Sequence, residues 1–167
     1  MAPDLIATAK SLAGGFPISG VVGRADVMDA PAPGGLGGTY AGSPIGCAAA
    51  LAVLKVFEDE QLLERSRSIG ARLIEGLRRI AEAHATIGDV RGLGAMVAIE
   101  LFEGGDPARP DAELTRRVVA EAARRGLILL SCGNYGNVIR ILVPLTASDA
   151  LLDEGLRVLS DSFDAMR

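Results

Sequence analysis

The stretch Asn137-Val138-Ile139-Arg140-Ile141-Leu142-Val143 is an apolar, β-branched run interrupted by one guanidinium, and Val138 to Val143 reads as a strand. Upstream, the turn-forming residues Gly133-Asn134-Tyr135-Gly136-Asn137 separate it from a second apolar run, Leu127 to Leu130, which reads as its neighbour. Gly126 ends a helix that Asp111 caps and that runs to about Arg125. Before that helix lie a polar loop, Glu103 to Pro110, and another strand, Ala95 to Leu101. Downstream, Ser148 or Asp149 opens a last helix through Phe163, with Leu151, Leu152, Leu156, Leu159 and Phe163 as its inward face.

Working further toward the N-terminus, Leu62 to Ala83 places Leu62, Ile69, Leu73, Leu77 and Ile80 on one stripe of a surface helix. From about residue 59 onward these elements make a compact α/β unit. Residues 1 to 42 are different: rich in Gly, Pro and Ala, with one strand-like run, Ile18 to Gly23, and too few strands to close a core. Ser43-Pro44 then reads as an N-cap followed by Pro at the first helical position, and Ile45 to Phe57 continues as a helix whose near-total apolarity predicts burial. The domain boundary expected from this pattern lies between residues 58 and 59.

At 167 residues the chain buries roughly 70% of its unfolded surface, enough for a packed core. With 49% hydrophobic and 23% charged residues it has the balance of a soluble globular protein, and its longest apolar run, Ile45 to Leu54, is far short of a bilayer span. No export signal is visible, so a cytoplasmic setting is expected. Cys47, Cys132 and the lone histidine, His84, are too few for a disulfide framework or a zinc-type ligand set, so no metal is expected. A net charge of −4 with interspersed signs argues against a nucleic-acid surface and leaves small molecules or proteins as partners.

Fifteen of the seventeen basic residues are Arg, which makes Lys10 and Lys55 conspicuous. Lys55, among Leu54, Val56 and Phe57, reads as a snorkelling surface side chain. Lys10 precedes Ser11-Leu12-Ala13-Gly14-Gly15-Phe16-Pro17, where small residues let backbone approach a planar group, and its primary amine can condense with an aldehyde. A solvated loop lysine is the alternative. The segment Gly34-Gly35-Leu36-Gly37-Gly38-Thr39-Tyr40-Ala41-Gly42-Ser43-Pro44 offers unhindered amides and a directed hydroxyl at Thr39, which suit a phosphate, or else it is a flexible linker. Neither the dinucleotide-binding nor the P-loop pattern fits it. Arg140 either grips a carboxylate with its planar fork or forms a structural ion pair. Arg91 is read as structural, and Cys132 as a packed thiol.

Taken together, Ala9-Lys10-Ser11-Leu12-Ala13-Gly14-Gly15-Phe16-Pro17, then Gly34 to Glu58, then Asp89-Val90-Arg91-Gly92-Leu93-Gly94-Ala95-Met96, then the strand at Arg140, resemble in order the class III aminotransferases, nearest the 4-aminobutyrate type. The resemblance covers essentially the whole chain. It implies the C-terminal part of a fold-type I pyridoxal-phosphate transferase, with 1–58 a remnant of the cofactor-binding large domain and 59–167 the small α/β domain with a short, mainly antiparallel sheet. It implies pyridoxal 5'-phosphate as cofactor, carried by Lys10 as a Schiff base. Thr39 would bind the cofactor phosphate of a neighbouring subunit in an obligate dimer, and Arg140 would hold a substrate carboxylate. The implied reaction is transamination of 4-aminobutyrate, or another ω-amino acid, with 2-oxoglutarate, giving succinate semialdehyde and glutamate. Ornithine, acetylornithine and diaminobutyrate enzymes are the alternatives, as is a non-catalytic module. Family members are longer, and their upstream part supplies an Asp for the pyridine nitrogen and a glycine-serine phosphate cradle, so this stretch alone is expected to be inactive.

Overall fold

The computed structural model describes residues 2–167 and divides into two compact units, one ending at Leu62 and the other Leu63–Arg167. The division falls at the first residue of the long helix.

In the first unit, β1 (Leu5–Thr8) pairs antiparallel with β2 (Gly20–Gly23), with Leu5 opposite Gly23 and Thr8 opposite Gly20. The glycine at 23 is required, because a β-carbon there would lie 2.8 Å from the Asp4 carbonyl oxygen. Arg24 follows and closes the pair with ion pairs to Asp4 (2.9 Å) and Asp26 (2.6 Å). All three side chains are exposed, so these pairs add little stability. Between the strands runs a 3-10 turn, Lys10–Ala13, and a one-turn helix α1 (Ala25–Met28) follows β2. Helix α2 (Pro44–Asp59) starts after Ser43, whose carbonyl accepts from the Cys47 amide at 2.9 Å while its hydroxyl makes no cap. The burial expected for α2 is not observed. Gly46 is its one buried residue, and Ile45, Leu51, Leu54 and Val56 are exposed. A 3-10 turn and a two-stranded ribbon have too little surface to cover a helix that is apolar all round.

The second unit is a four-stranded antiparallel sheet in the order β3-β4-β6-β5 with three helices on one face. The strands are β3 (Ile87–Leu93), β4 (Met96–Leu101), β5 (Leu130–Cys132) and β6 (Val138–Leu142). Strict alternation in β4 decides the layering: Val97, Ile99 and Leu101 are buried, while Met96, Ala98 and Glu100 turn to the other face. Helix α3 (Leu62–Ala83) contributes Ile69, Leu73, Leu77 and Ile80 to the core, as its stripe predicts. Helix α4 (Ala112–Arg124) adds Val118 and Ala122, and the Asp111 carboxylate caps it by accepting from the Leu114 amide at 2.8 Å.

Helix α5 (Asp149–Asp164) is capped by the Ser148 hydroxyl and buries Leu152, Leu159 and Phe163. Leu151, expected on the inward face, is exposed, because it sits one residue off the 152/156/159/163 stripe. The strand expected at Leu127 to Leu130 is shifted. The Leu127 amide bonds back to the Ala122 carbonyl (2.8 Å) across left-handed Gly126 (φ 91°), so Leu127 is tied to the helix end, residues 127–129 form no regular element and pairing begins only at Leu130. Strand β3 escapes a reading by apolar alternation because its glycines answer to contacts instead. A β-carbon on Gly88 would lie 2.5 Å from the Phe102 ring, and one on Gly92 2.6 Å from the Met96 carbonyl oxygen.

Candidate functional site

Lys10 opens the 3-10 turn with a left-handed backbone (φ 57°), a conformation that costs a non-glycine residue on the order of 1 kcal/mol or more and clusters at functional sites. The amides of Leu12 and Gly14 close the turn on the carbonyls of Ala9 (3.3 Å) and Ser11 (3.2 Å). Gly14 (φ 60°) then sends the chain back, and a β-carbon on it would lie 3.3 Å from a methyl of Val53 on α2, so the turn is seated against that helix. The Lys10 side chain is exposed and, among the described residues, has no carboxylate partner. Lys55 contrasts with it, its ammonium 2.8 Å from Asp59.

Thr39 lies in an open cleft of about 750 Å³ formed by Pro17, Ile18 and Ser19 on one side and Gly37 to Gly42 on the other. The amides of Gly37, Gly38, Thr39 and Tyr40 donate to no backbone carbonyl among the described residues, and β-carbons on Gly37, Gly38 and Gly42 would meet nothing within 4 Å. Such a loop, entering the N-terminus of α2, has the donors and the open space that a phosphate needs. Lys10 does not line this cleft.

Arg140 lies in the second unit, in the middle of β6, opposite Ala98 on one side and Leu130 on the other. Its side chain stands on the sheet face away from the helices, over a depression of about 460 Å³ that it shares with Arg91, Cys132 and Val138. The two arginines differ in what neutralises them. Arg91 is bound by Asp89 and by Glu100 at 2.6 Å, and these carboxylates hold the Arg91 proton more firmly than usual. Glu100 also accepts from the Asn137 side-chain amide at 3.2 Å, which leaves it committed. Arg140 has no carboxylate partner among the described residues, so the structural ion pair that its sequence setting allowed is not formed. An exposed guanidinium without a carboxylate partner can receive an external carboxylate.

The aminotransferase class-III family matches residues 1–163. The chain belongs to that family. The 5-aminovalerate aminotransferase of Pseudomonas aeruginosa is 66% identical over 98% of the chain, and the 4-aminobutyrate aminotransferase of Escherichia coli is 65% identical over 98%. The chain spans 38% of the length of each. A crystal structure of an amine transaminase from an uncultivated Pseudomonas species, described as the pyridoxal-phosphate-bound internal aldimine form, superimposes with a TM-score of 0.86. It is 31% identical and covers 98% of this chain and 39% of that one. The antiparallel α/β architecture is thus that of a class III transaminase.

Of the positions singled out in the sequence, Lys10 and Thr39 fall in the first unit of this class III chain and Arg140 in the second. Arg91, read from the sequence as structural, forms ion pairs with Asp89 and Glu100 beside Arg140; what the sequence reading did not name is these two partners. No group of metal-ligating side chains and no helix long and apolar enough to cross a membrane occurs among the described residues.

Proposed function

We propose that this stretch belongs to a pyridoxal-phosphate-dependent ω-aminotransferase that moves the amino group of 4-aminobutyrate to 2-oxoglutarate, with Lys10, Thr39 and Arg140 as its cofactor and substrate groups. The observation that carries the proposal is a pair of unspent functional groups: the amine of one of only two lysines, in a left-handed turn, and the Arg140 guanidinium on the open sheet face without a carboxylate partner. In this reading residues 1–58 belong to the cofactor-binding domain and 59–167 to the small domain.

The groups present fit the cofactor. The free amides and hydroxyl around Thr39 suit its phosphate, and the exposed amine of Lys10 suits its aldehyde. Bound there, pyridoxal phosphate supplies the electron sink that lets a proton leave the substrate carbon. Lys10 Nζ takes that proton and later returns one, serving as base and then acid. Arg140 grips the carboxylate of the acid partner bidentately and fixes its position. Lys10 is not among the residues lining the Thr39 cleft, which fits a Thr39 that serves the site of a second copy, and so a homodimer. In this reading the carboxylate for the pyridine nitrogen is supplied from outside this stretch, and turnover by the stretch alone is not expected.

A second donor stands beside the first, because the 5-aminovalerate and 4-aminobutyrate enzymes match the chain almost equally. The two substrates differ by one methylene, worth about 1–3 kcal/mol in a fitted pocket. Replacing the corresponding part of the Escherichia coli enzyme with this stretch and assaying both donors with 2-oxoglutarate tests the reading. Turnover that disappears in Lys10→Ala supports it. A folded, cofactor-loaded chimera without turnover, or one indifferent to Lys10→Ala, contradicts it.

A further inference from the structure

The free face of the sheet is ordered in rows set by strand register. Arg91, Ala98 and Arg140 form one row across β3, β4 and β6, and Asp89, Glu100 and Val138 form the next. Ala98 is therefore the residue between the two guanidinium-bearing positions, and it is half-buried, its methyl flooring the depression at Arg140. Opposed side chains in neighbouring strands have β-carbons about 5 Å apart, so whatever stands at 98 flanks both arginine stems directly.

We propose that Ala98 is a specificity-determining residue: its small side chain sets the size of acid that Arg140 accepts. The inference rests on the reading of Arg140 as a carboxylate seat. Because Arg91 is neutralised by Asp89 and Glu100, the row offers one free guanidinium and, beside it, a gap in place of a second anchor. A carboxylate held by the Arg140 fork extends its carbon chain over this face, and the Ala98 methyl leaves room for the chain of a five-carbon diacid. A branched side chain at 98 fills that room while leaving the guanidinium itself reachable by a short acid. Valine suits a strand at least as well as alanine, so Ala98→Val changes the gap without opposing the fold.

The test is a titration of the 167-residue chain with glutarate and, separately, acetate, followed by NMR of the arginine side chains, for wild type, Ala98→Val, Ala98→Ser and Arg140→Ala. Expected are a loss of glutarate affinity of about tenfold in Ala98→Val, on the scale of one misplaced carbon group. Acetate affinity is unchanged in that variant, and Ala98→Ser is near wild type for both acids. Equal glutarate affinity in wild type and Ala98→Val overturns the proposal while leaving Arg140 in place, and so does a loss in Ala98→Ser as large as in Ala98→Val. If Arg140→Ala retains both acids, or wild type binds neither, the carboxylate reading of Arg140 fails and the proposal falls with it.

Discussion

Gly70 on α3 and Gly94 in the turn between β3 and β4 touch so closely that a β-carbon on Gly70 would lie 2.1 Å from the Gly94 carbonyl oxygen. The contact is with backbone, which cannot rotate away as a side chain can. Ser66 reinforces the same crossing, its hydroxyl accepting from the Ala95 amide at 3.0 Å. Gly70→Ala, which would raise helix propensity at an open site, is therefore expected to destabilise the second unit by about 1–3 kcal/mol. Denaturant unfolding of the variant against wild type measures it, and a neutral or stabilising result contradicts the tight crossing.

The cap of α4 gives a milder expectation. Asp111 accepts from the Leu114 amide through its carboxylate, and its carbonyl accepts from the Thr115 hydroxyl at 2.7 Å. Asp111→Ala removes the carboxylate contact alone, at a cost of about 1 kcal/mol. Asp111→Asn, which keeps an acceptor, is expected to recover most of that loss in the same unfolding experiment.

His84 makes stability depend on pH. It is 7% exposed, its ring centroid lies 5.3 Å from that of Phe163, and its Nε2 has no hydrogen-bond partner. Burial first, and then Arg167, push its pKa below the ordinary 6.5, while Asp164 pulls the other way. The unfolded chain therefore binds the proton more readily than the folded one. The contribution is complete above pH 6.5 and is lost as pH falls from there through the lowered folded value. Asp153, held below the carboxylate range by the hydrogen bond from Arg72, loses its share only at lower pH. Urea midpoints at about pH 7.5 and about pH 5.5 should differ in wild type, and the difference should shrink in His84→Gln.

Much of the second unit was legible because its helices carry strong periodic stripes and its two central strands carry β-branched runs. Ile69, Leu73, Leu77 and Ile80 are buried as the spacing of α3 requires. What escaped was set by close contacts that leave no apolar pattern. Strand β3 is punctuated by Gly88 and Gly92, which local reading takes for turn residues, and Leu127 is captured by the end of α4. The apolarity of α2 was plain, but its exposure reflects how little of the first unit can pack on it. The candidates Lys10, Thr39 and Arg140 were singled out by residue type and order, whereas the commitment of Glu100 to Arg91 depends on strand register. Register links residues nine positions apart along the chain, beyond the reach of a local motif.

The choice of Lys10 over every other amine is the centre of the account. Incubating the 167-residue chain with pyridoxal phosphate, reducing with borohydride and mapping the modified peptides measures it directly. Lys55, tied to Asp59 on an exposed helix, serves as the internal control for unselective surface labelling. The expected result is a phosphopyridoxyl group on the peptide that contains Lys10, forming ahead of any on Lys55 and absent in Lys10→Arg. Equal labelling of the two lysines, or modification that leaves Lys10 free, contradicts the account.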